Sequence, residues 1–144
     1  MNVDMLMELA HDYREILRQS VYLTRALDSD GELSTAQVST LNMVSTEPQR
    51  VSVIARNAGI RVPSATEQVI KLEAAGLVRR IADDSDARVV LVELTDAGRA
   101  AVDRSNAVRN RRMADALRTL DEAERATITA ALPALAKLNG ALSP

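Results

Sequence analysis

The side chains best suited to a chemical role in this chain are basic and lie in its middle third. Residues 50–80 hold six Lys and Arg against two Asp and Glu, whereas residues 1–49 hold three against eight. The formal net charge of −2 therefore averages over one basic segment inside an acidic frame. Such a segment is typical of a surface that binds a polyanion. A chance fluctuation in a solvated surface would give the same count.

Other chemistries have few residues to work with. The 144 residues include no Cys, Trp or Phe, two Tyr and one His. The lack of thiols excludes disulfides, cysteine zinc sites and iron–sulfur clusters, and one imidazole is too few for a multi-histidine metal centre. Two aromatic rings are too few for a base-stacking platform. Because no paired carboxylates or activated nucleophile stand out, we expect no enzyme, no metal site and no cofactor.

The first two elements are predicted helices. Residues 5–27 place apolar side chains at helical spacing between charged ones. A second helix begins after Ser34, the N-cap of a capping box that Gln37 closes. We expect this helix to end near Thr46, because Pro48 excludes helical geometry at the residue before it.

A helix-turn-helix follows. Ser52 can cap a short third helix over residues 53–58, and Gly59 permits the left-handed conformation that ends it. A fourth helix, about residues 62–75, has Pro63 in its first turn, where a missing N–H costs nothing. Two short helices joined by a glycine-containing turn make this motif. The buried face of the fourth helix is marked by Ala65, Val69 and Leu72.

The next segment has the pattern of a β-hairpin. The runs 77–81 and 89–94 are rich in β-branched residues, and the polar residues 82–88 between them favour a turn. A helix-turn-helix followed at once by a hairpin is the element order of a winged helix, here residues 33–95 with the wing at 78–94. The predicted fold is therefore mainly α with a small β-hairpin wing, in the α+β class.

Two further helices close the chain. Thr95 caps a long helix that reaches about Leu117, and Asp121 with Glu124 forms a capping box for the last helix. Pro133 lies inside the last helix and should kink it or end it.

The helices at both ends, within residues 1–30 and 96–144, carry apolar stripes that a small winged helix can cover only in part. Leaving several Leu side chains in water costs several kcal/mol, at roughly 25 cal/mol per Å2 of apolar surface. We therefore expect a two-fold homodimer in which the first, fifth and sixth helices interleave. A monomer whose ends pack only on each other is the alternative.

Five short motifs occur in the order and spacing of one known family. They are Ile54-Ala55, Pro63-Ser64, Leu72 to Val78, Asp86-Ala87-Arg88 and Leu94 to Gly98. With these motifs the chain closely resembles the MarR family of winged-helix transcription regulators, over essentially its whole length. The resemblance implies a single-domain homodimer, with each fourth helix in a major groove of a pseudo-palindromic operator and each wing in the adjacent minor groove. It also implies a small-molecule pocket between the dimerisation helices and the winged helix.

The resemblance places the start of the fourth helix against double-stranded DNA. The side chains there that are able to reach base edges are Ser64, Ala65, Thr66 and Gln68. Gln can bond adenine bidentately, and the Thr methyl can pack on a thymine methyl. Groups better placed for phosphates, which position the protein without reading sequence, are Arg56, Arg61, Lys71 and Arg79, together with the Ser64 hydroxyl.

The wing and one helix position complete the predicted interface. The family places a wing arginine in the minor groove, held by the aspartate two residues before it, and these are Arg88 and Asp86 here. The alternative for this pair is an ordinary exposed ion pair, worth under about 1 kcal/mol. The chain departs from the family where Glu67 and Ala87 replace residues that are often basic. Glu67 would repel phosphate unless it accepts a hydrogen bond from a cytosine amino group or pairs with a nearby Arg.

The sequence thus predicts a sequence-specific DNA-binding regulator, a homodimeric repressor released by a small hydrophobic or aromatic effector. The absence of Cys and the single His argue against the peroxide-sensing and zinc-sensing branches of the family. The alternative is a winged-helix protein-interaction module without specific DNA binding. Because no apolar run is long enough for a membrane span and the N-terminus lacks the order of a signal peptide, we expect a cytoplasmic protein without a membrane partner.

Overall fold

The secondary-structure elements follow the order of a winged helix with long helices on both sides. The structure, a computed structural model, describes residues 1–28 and 31–143. The elements are α1 (Val3–Asp28), α2 (Thr35–Met43), β1 (Gln49–Arg50), α3 (Val51–Ala58), α4 (Val62–Ala74), β2 (Val78–Ala82), β3 (Val90–Leu94), α5 (Asp96–Leu117) and α6 (Glu122–Leu142). This mainly helical chain with one small sheet confirms the predicted fold class.

Three strands form the sheet. Their order is β1-β3-β2, and both pairings are antiparallel. The predicted hairpin is β2 with β3, in which Val78 pairs with Leu94 and Ala82 with Val90. The sequence pattern does not predict β1, because two residues are too few to show the alternation of a strand.

The hydrophobic core lies within the winged helix and the first turns of α5. Among the residues that the structure describes, every buried apolar side chain falls between Val38 and Val102. One continuous cluster comprises Leu41, Val44, Ile54, Val69, Leu72, Val78, Val92 and Val102. The predicted buried face of α4 is confirmed, since its three apolar residues belong to the buried set.

Hydrogen bonds at the helix ends confirm three predicted caps. The Ser34 hydroxyl accepts from the backbone N–H of Gln37 (3.2 Å), whose side chain accepts from the N–H of Ser34 (2.9 Å). Asp121 and Glu124 make the same reciprocal pair at 2.8 and 2.9 Å. Thr95 accepts from the backbone N–H three residues further on, at 3.0 Å. These short-range patterns therefore fix where α2, α5 and α6 begin.

Two predicted helix limits are wrong. α2 ends at Met43, before Thr46. α3 begins at Val51 with Arg50 in the N-cap position, so Ser52 lies inside the helix and does not cap it. Arg50 also belongs to β1, and the pairing of β1 with β3 holds it in the extended conformation from which α3 starts.

The last helix runs through Pro133 and ends at Leu142. Pro133 therefore does not end it. The proline leaves the carbonyl of Thr129 without its helical N–H partner, but Thr129 is exposed, so water can satisfy that carbonyl. The flanking sequence is rich in Ala, which has the highest helix propensity.

The helices α1 and α6 contribute nothing to the core. No side chain described in either helix is buried, and most of their large apolar residues are exposed. Between them lies a cavity of about 480 Å3, which we call the α1/α6 groove. Its lining is apolar apart from Arg14, and consists otherwise of Leu6, Leu9, Ala10, Tyr13, Leu17, Leu135, Leu138 and Leu142. Neither these helices nor any other described helix is long and apolar enough to cross a membrane.

Candidate nucleic-acid interface

The turn between α3 and α4 sets how α4 is presented. Gly59 ends α3 in the left-handed conformation, with φ at 66°, a region that favours a residue without Cβ. The helix α4 then begins at Val62 with Pro63 in its first turn. Because one stripe of α4 is buried in the core, the opposite side of the helix faces outwards.

The outward side of α4 carries polar groups. Ser64, Glu67 and Lys71 are exposed there. The Lys71 Nζ lies 3.1 Å from the Glu67 Oε1, one helical turn away, and each side chain is 69% exposed. Thr66 is half-buried, and its hydroxyl donates to the carbonyl of Val62 at 2.9 Å. The open face of the helix therefore offers a hydroxyl, a carboxylate and an ammonium group.

Two residues expected to reach base edges do not project from this face. Ala65 is fully buried, so the expectation that its side chain reaches a base is wrong. Gln68 is half-buried, and its Oε1 accepts from the hydroxyl of the buried Thr40 in α2, at 3.2 Å. The amide oxygen that a bidentate contact with adenine requires is thus already bound within the protein.

The basic side chains expected at phosphates fall into two groups. Arg56 and Arg61 are exposed, and neither makes an ion pair with any residue in the described ranges. Arg79 instead donates to Glu93 at 2.5 Å, and Lys71 is held by the carboxylate one turn before it. Arg56 and Arg61 can therefore contact a phosphate without breaking an ion pair, whereas Arg79 and Lys71 cannot.

The wing holds one arginine in a fixed direction. Asp86 accepts hydrogen bonds from the backbone N–H (3.0 Å), the Nε (3.1 Å) and the Nη2 (3.2 Å) of Arg88. The hydrogen bonds from the Arg88 side chain are the main reason why the pKa of Asp86 lies below its ordinary value, and the hydrogen bond from the Arg88 backbone N–H lowers it further. The Arg88 side chain nevertheless remains 91% exposed. The Asp86–Arg88 pair that the sequence predicts is therefore present, and its guanidinium is open to solvent.

Arg50 is a basic residue of this surface that sequence reasoning missed. It is exposed in β1, where it pairs with Leu91 of β3. Its charge also lowers the pKa of Asp86, so a second guanidinium lies close to the wing pair. The basic segment contained Arg50, but only the long-range pairing of β1 with β3 brings it to the wing.

A hollow lies where α1, α2 and α5 meet. It has a volume of about 530 Å3 and is lined by Thr24, Thr35, Ser39, Asn42, Met43 and Arg109. At its edge, Asn42 and Asn106 form a reciprocal amide pair, with N–O distances of 3.3 and 2.9 Å. This hollow occupies the place between winged helix and terminal helices where the resemblance implies a pocket.

Comparisons with known proteins agree with this geometry. The sequence profile of the MarR family matches residues 33–90. The solved transcriptional regulator BldR from Sulfolobus solfataricus is 30% identical, over 99% of this chain and 98% of the BldR chain, with a TM-score of 0.70. The chain belongs to the MarR family. A comparison with curated proteins found no match.

Two more distant members of the structural comparison share the fold. A MarR family protein from Bacillus stearothermophilus is 21% identical, over 97% of this chain and 99% of its own, with a TM-score of 0.76. CouR from Rhodococcus jostii RHA1, solved with bound p-coumaroyl-CoA, is 20% identical, over 89% and 94% of the two chains, with a TM-score of 0.69. Family membership and the regulator neighbours support a DNA-binding transcriptional regulator, and MarR-family regulators are in general not enzymes.

Proposed function

We propose that this MarR-family chain is a homodimeric repressor that reads a pseudo-palindromic operator and leaves it when a small molecule binds. Residues 33–95 contact the DNA, and the helices within 1–30 and 96–144 form the dimer. The observation that carries the proposal is the Arg88 guanidinium, held by Asp86 yet open to solvent. A fixed cation on a hairpin suits the narrow, electronegative minor groove.

The proposed DNA contacts fall into groups according to whether each side chain already has an ion-pair partner within the protein. Arg56 and Arg61 contact phosphates directly, and Arg50 adds a third cation near the wing. Arg79 exchanges the Glu93 carboxylate for a phosphate, which lowers its net contribution, and Lys71 shares its charge between Glu67 and the DNA. The Ser64 hydroxyl and the Thr66 methyl face the bases from the first turns of α4.

The α1/α6 groove supports the dimer. A second copy of this chain is the occupant that we propose, because a two-fold axis places the same apolar surface on both partners. The continuous apolar lining resembles one half of a protein core more than a solvated surface. Such a dimer presents two α4 helices to half-sites about 34 Å apart, the spacing of successive major grooves.

The hollow between α1, α2 and α5 supports a role for a ligand. A molecule bound there touches helices of both the winged helix and the dimerisation region. It can therefore favour a dimer whose α4 helices no longer match successive grooves, which is a coupling between two sites. The ligand class that we propose is a small hydrophobic or aromatic compound, and the p-coumaroyl group of the p-coumaroyl-CoA bound to CouR is aromatic.

Fluorescence anisotropy tests the DNA-binding part. The protein is titrated into a labelled duplex from the region upstream of its own gene, and into a scrambled duplex of the same composition. We expect tighter binding to the first duplex, with log affinity falling steeply as log salt rises because several phosphates are contacted. Equal binding to both duplexes, or none at physiological salt, contradicts the proposal.

A protein-interaction module is the second candidate. Its support is the carboxylate of Glu67 in the middle of the outward face of α4, where phosphate is repelled. The same titration separates the two candidates, because an interaction module shows no difference between the duplexes.

A further inference from the structure

The outward face of α4 is centred on an ion pair. Glu67 and Lys71 lie one turn apart, on the side opposite to the buried stripe, and their oppositely charged atoms are 3.1 Å from each other. Both side chains are 69% exposed, whereas Gln68 is turned towards Thr40. If the outward face of α4 enters a major groove, this pair faces the base edges together with Ser64.

The pair matches the edge of a G·C base pair. A carboxylate only accepts hydrogen bonds and an ammonium only donates them. In the major groove, cytosine N4 donates and guanine O6 and N7 accept. Since N4 and O6 are hydrogen-bonded to each other, they lie about 2.9 Å apart. Glu67 can therefore accept from cytosine N4 while Lys71 donates to guanine O6 and N7, without separating the two side chains.

An A·T pair fits less well. The adenine N6 donor lies between two acceptors, adenine N7 and thymine O4. A carboxylate placed on N6 is therefore repelled from both sides. In a G·C pair the two acceptors lie side by side under the ammonium, and the N4 donor has an acceptor on one side only.

We propose that Glu67 and Lys71 together read one G·C base pair in each half-site of the operator. This inference rests on the proposed DNA-binding function and names the base that the α4 face recognises. Glu67 then acts as a specificity-determining residue, and the Lys71 ammonium interacts with the guanine as well as with the Glu67 carboxylate. The competing account is that Glu67 only repels phosphate and lowers affinity for every duplex alike.

Selection from a pool of random-sequence duplexes tests the inference. The wild type, Glu67→Gln and Glu67→Ala are each used to enrich bound duplexes, which are then sequenced. The wild-type motif should contain a G·C pair that is lost in Glu67→Ala while the other positions stay. Glu67→Gln should replace it with A·T, because a Gln amide bonds adenine bidentately. Unchanged preference at every position in both variants overturns the inference.

Glu73→Ala is the matched control. Glu73 also lies in α4, but it pairs with Arg80 of β2 at 3.0 Å, and the side-chain hydrogen bond from Arg80 lowers the pKa of Glu73. Its removal changes the net charge of α4 by the same amount and should leave the selected motif intact. A motif altered equally in Glu73→Ala and Glu67→Ala contradicts a contact specific to Glu67.

Titration of single duplexes separates the inference from the proposed function. For the wild type, replacing the selected G·C pair by A·T should weaken binding about tenfold, whereas Glu67→Ala should bind both duplexes equally. If Glu67→Ala instead strengthens binding to both by the same factor, phosphate repulsion is the correct account. If the wild type enriches no motif at all, the proposed DNA-reading function fails, and this inference fails with it.

Discussion

The winged helix buries its apolar side chains within one chain, whereas the terminal helices α1 and α6 leave most of theirs exposed. Every buried apolar side chain that the structure describes lies between Val38 and Val102. The helices α1 and α6 together bury none, and they line the α1/α6 groove with open Leu side chains. Burying one Leu side chain is worth about 1.5–3 kcal/mol, so the first region is stabilised within one chain and the second needs another surface.

Side-chain hydrogen bonds of α5 join the two regions. Asn42 of α2 pairs with Asn106 of α5. Arg99 of α5 donates to the carbonyl of Ser45 at 2.5 Å. Arg112 of α5 donates to the carbonyl at the end of α1, at 2.9 Å. The helix α5 therefore contacts both regions, because its first turns also contribute Val102 to the core.

The largest expected effect comes from breaking the terminal region. Leu135→Asp places a carboxylate among the Leu side chains of the α1/α6 groove, where a partner helix would have to bury it and Arg14 is the one basic residue of the lining. We expect the mass in solution, measured by light scattering, to halve, and operator binding to be lost. Val90→Asp is the control for the mass measurement, because it makes the same kind of change at an exposed apolar residue outside the terminal helices. An unchanged dimer mass in Leu135→Asp would contradict the inference that a second copy of the chain covers the apolar side chains of the terminal helices.

The next largest effect should come from the place where α5 meets the winged helix. A Cβ on Gly98 would lie 1.9 Å from the carbonyl oxygen of Leu77, far inside contact distance. Because the Leu77 carbonyl belongs to the backbone and a Cβ has no rotamer by which to avoid it, Gly98→Ala should lower the free energy of unfolding by about 3 kcal/mol, measured by urea denaturation. Gly140→Ala in α6 is the control, since nothing lies within 4 Å of its Cβ. Equal stability of the two variants would show that α5 can shift freely against β2.

Removing Arg88 from the wing should weaken DNA binding without changing the stability of the fold. Arg88→Ala deletes an exposed side chain whose hydrogen bonds within the described residues are all with Asp86, so we expect unchanged unfolding and about tenfold weaker operator binding. Arg118→Ala is the matched control, because it also removes an exposed arginine paired with an aspartate, Asp115, but at the end of α5. Similar losses of affinity in both variants would mean that only net charge matters.

The smallest expected effect concerns the Asn42–Asn106 hydrogen bonds, which join α2 to α5. A double-mutant cycle on Asn42 and Asn106, each changed to Ala, should give a coupling of about 1 kcal/mol in unfolding free energy, the net worth of a neutral hydrogen bond. Additive losses would show that the amide pair does not link α2 to α5.

Local signals predicted much of the fold. The capping boxes at Ser34 and Asp121, the Thr95 cap and the Gly59 terminator each depend on a few neighbouring residues, and each is confirmed. The errors arise where distant residues decide. The start of α3 depends on a strand pairing with β3, and Ser52 therefore does not cap it.

The candidate site was predicted less completely, for the same reason. The Asp86–Arg88 pair spans two residues, and the resemblance to the family already implied it. The inward turn of Gln68 depends on Thr40 in another helix, and the position of Arg50 depends on β3. Helical periodicity already placed Ala65 on the buried face, so its assignment to a base edge disregarded the stronger signal.

The proposed dimer places two identical winged helices, held by the terminal helices, on two half-sites at one face of DNA. Affinity for a duplex carrying the selected half-sites, measured before and after insertion of about five base pairs between them, tests this most directly, because the insertion rotates one half-site by half a helical turn. We expect the insertion to reduce affinity to that of a scrambled duplex. Unchanged affinity after the insertion would contradict a rigid two-fold dimer on its operator.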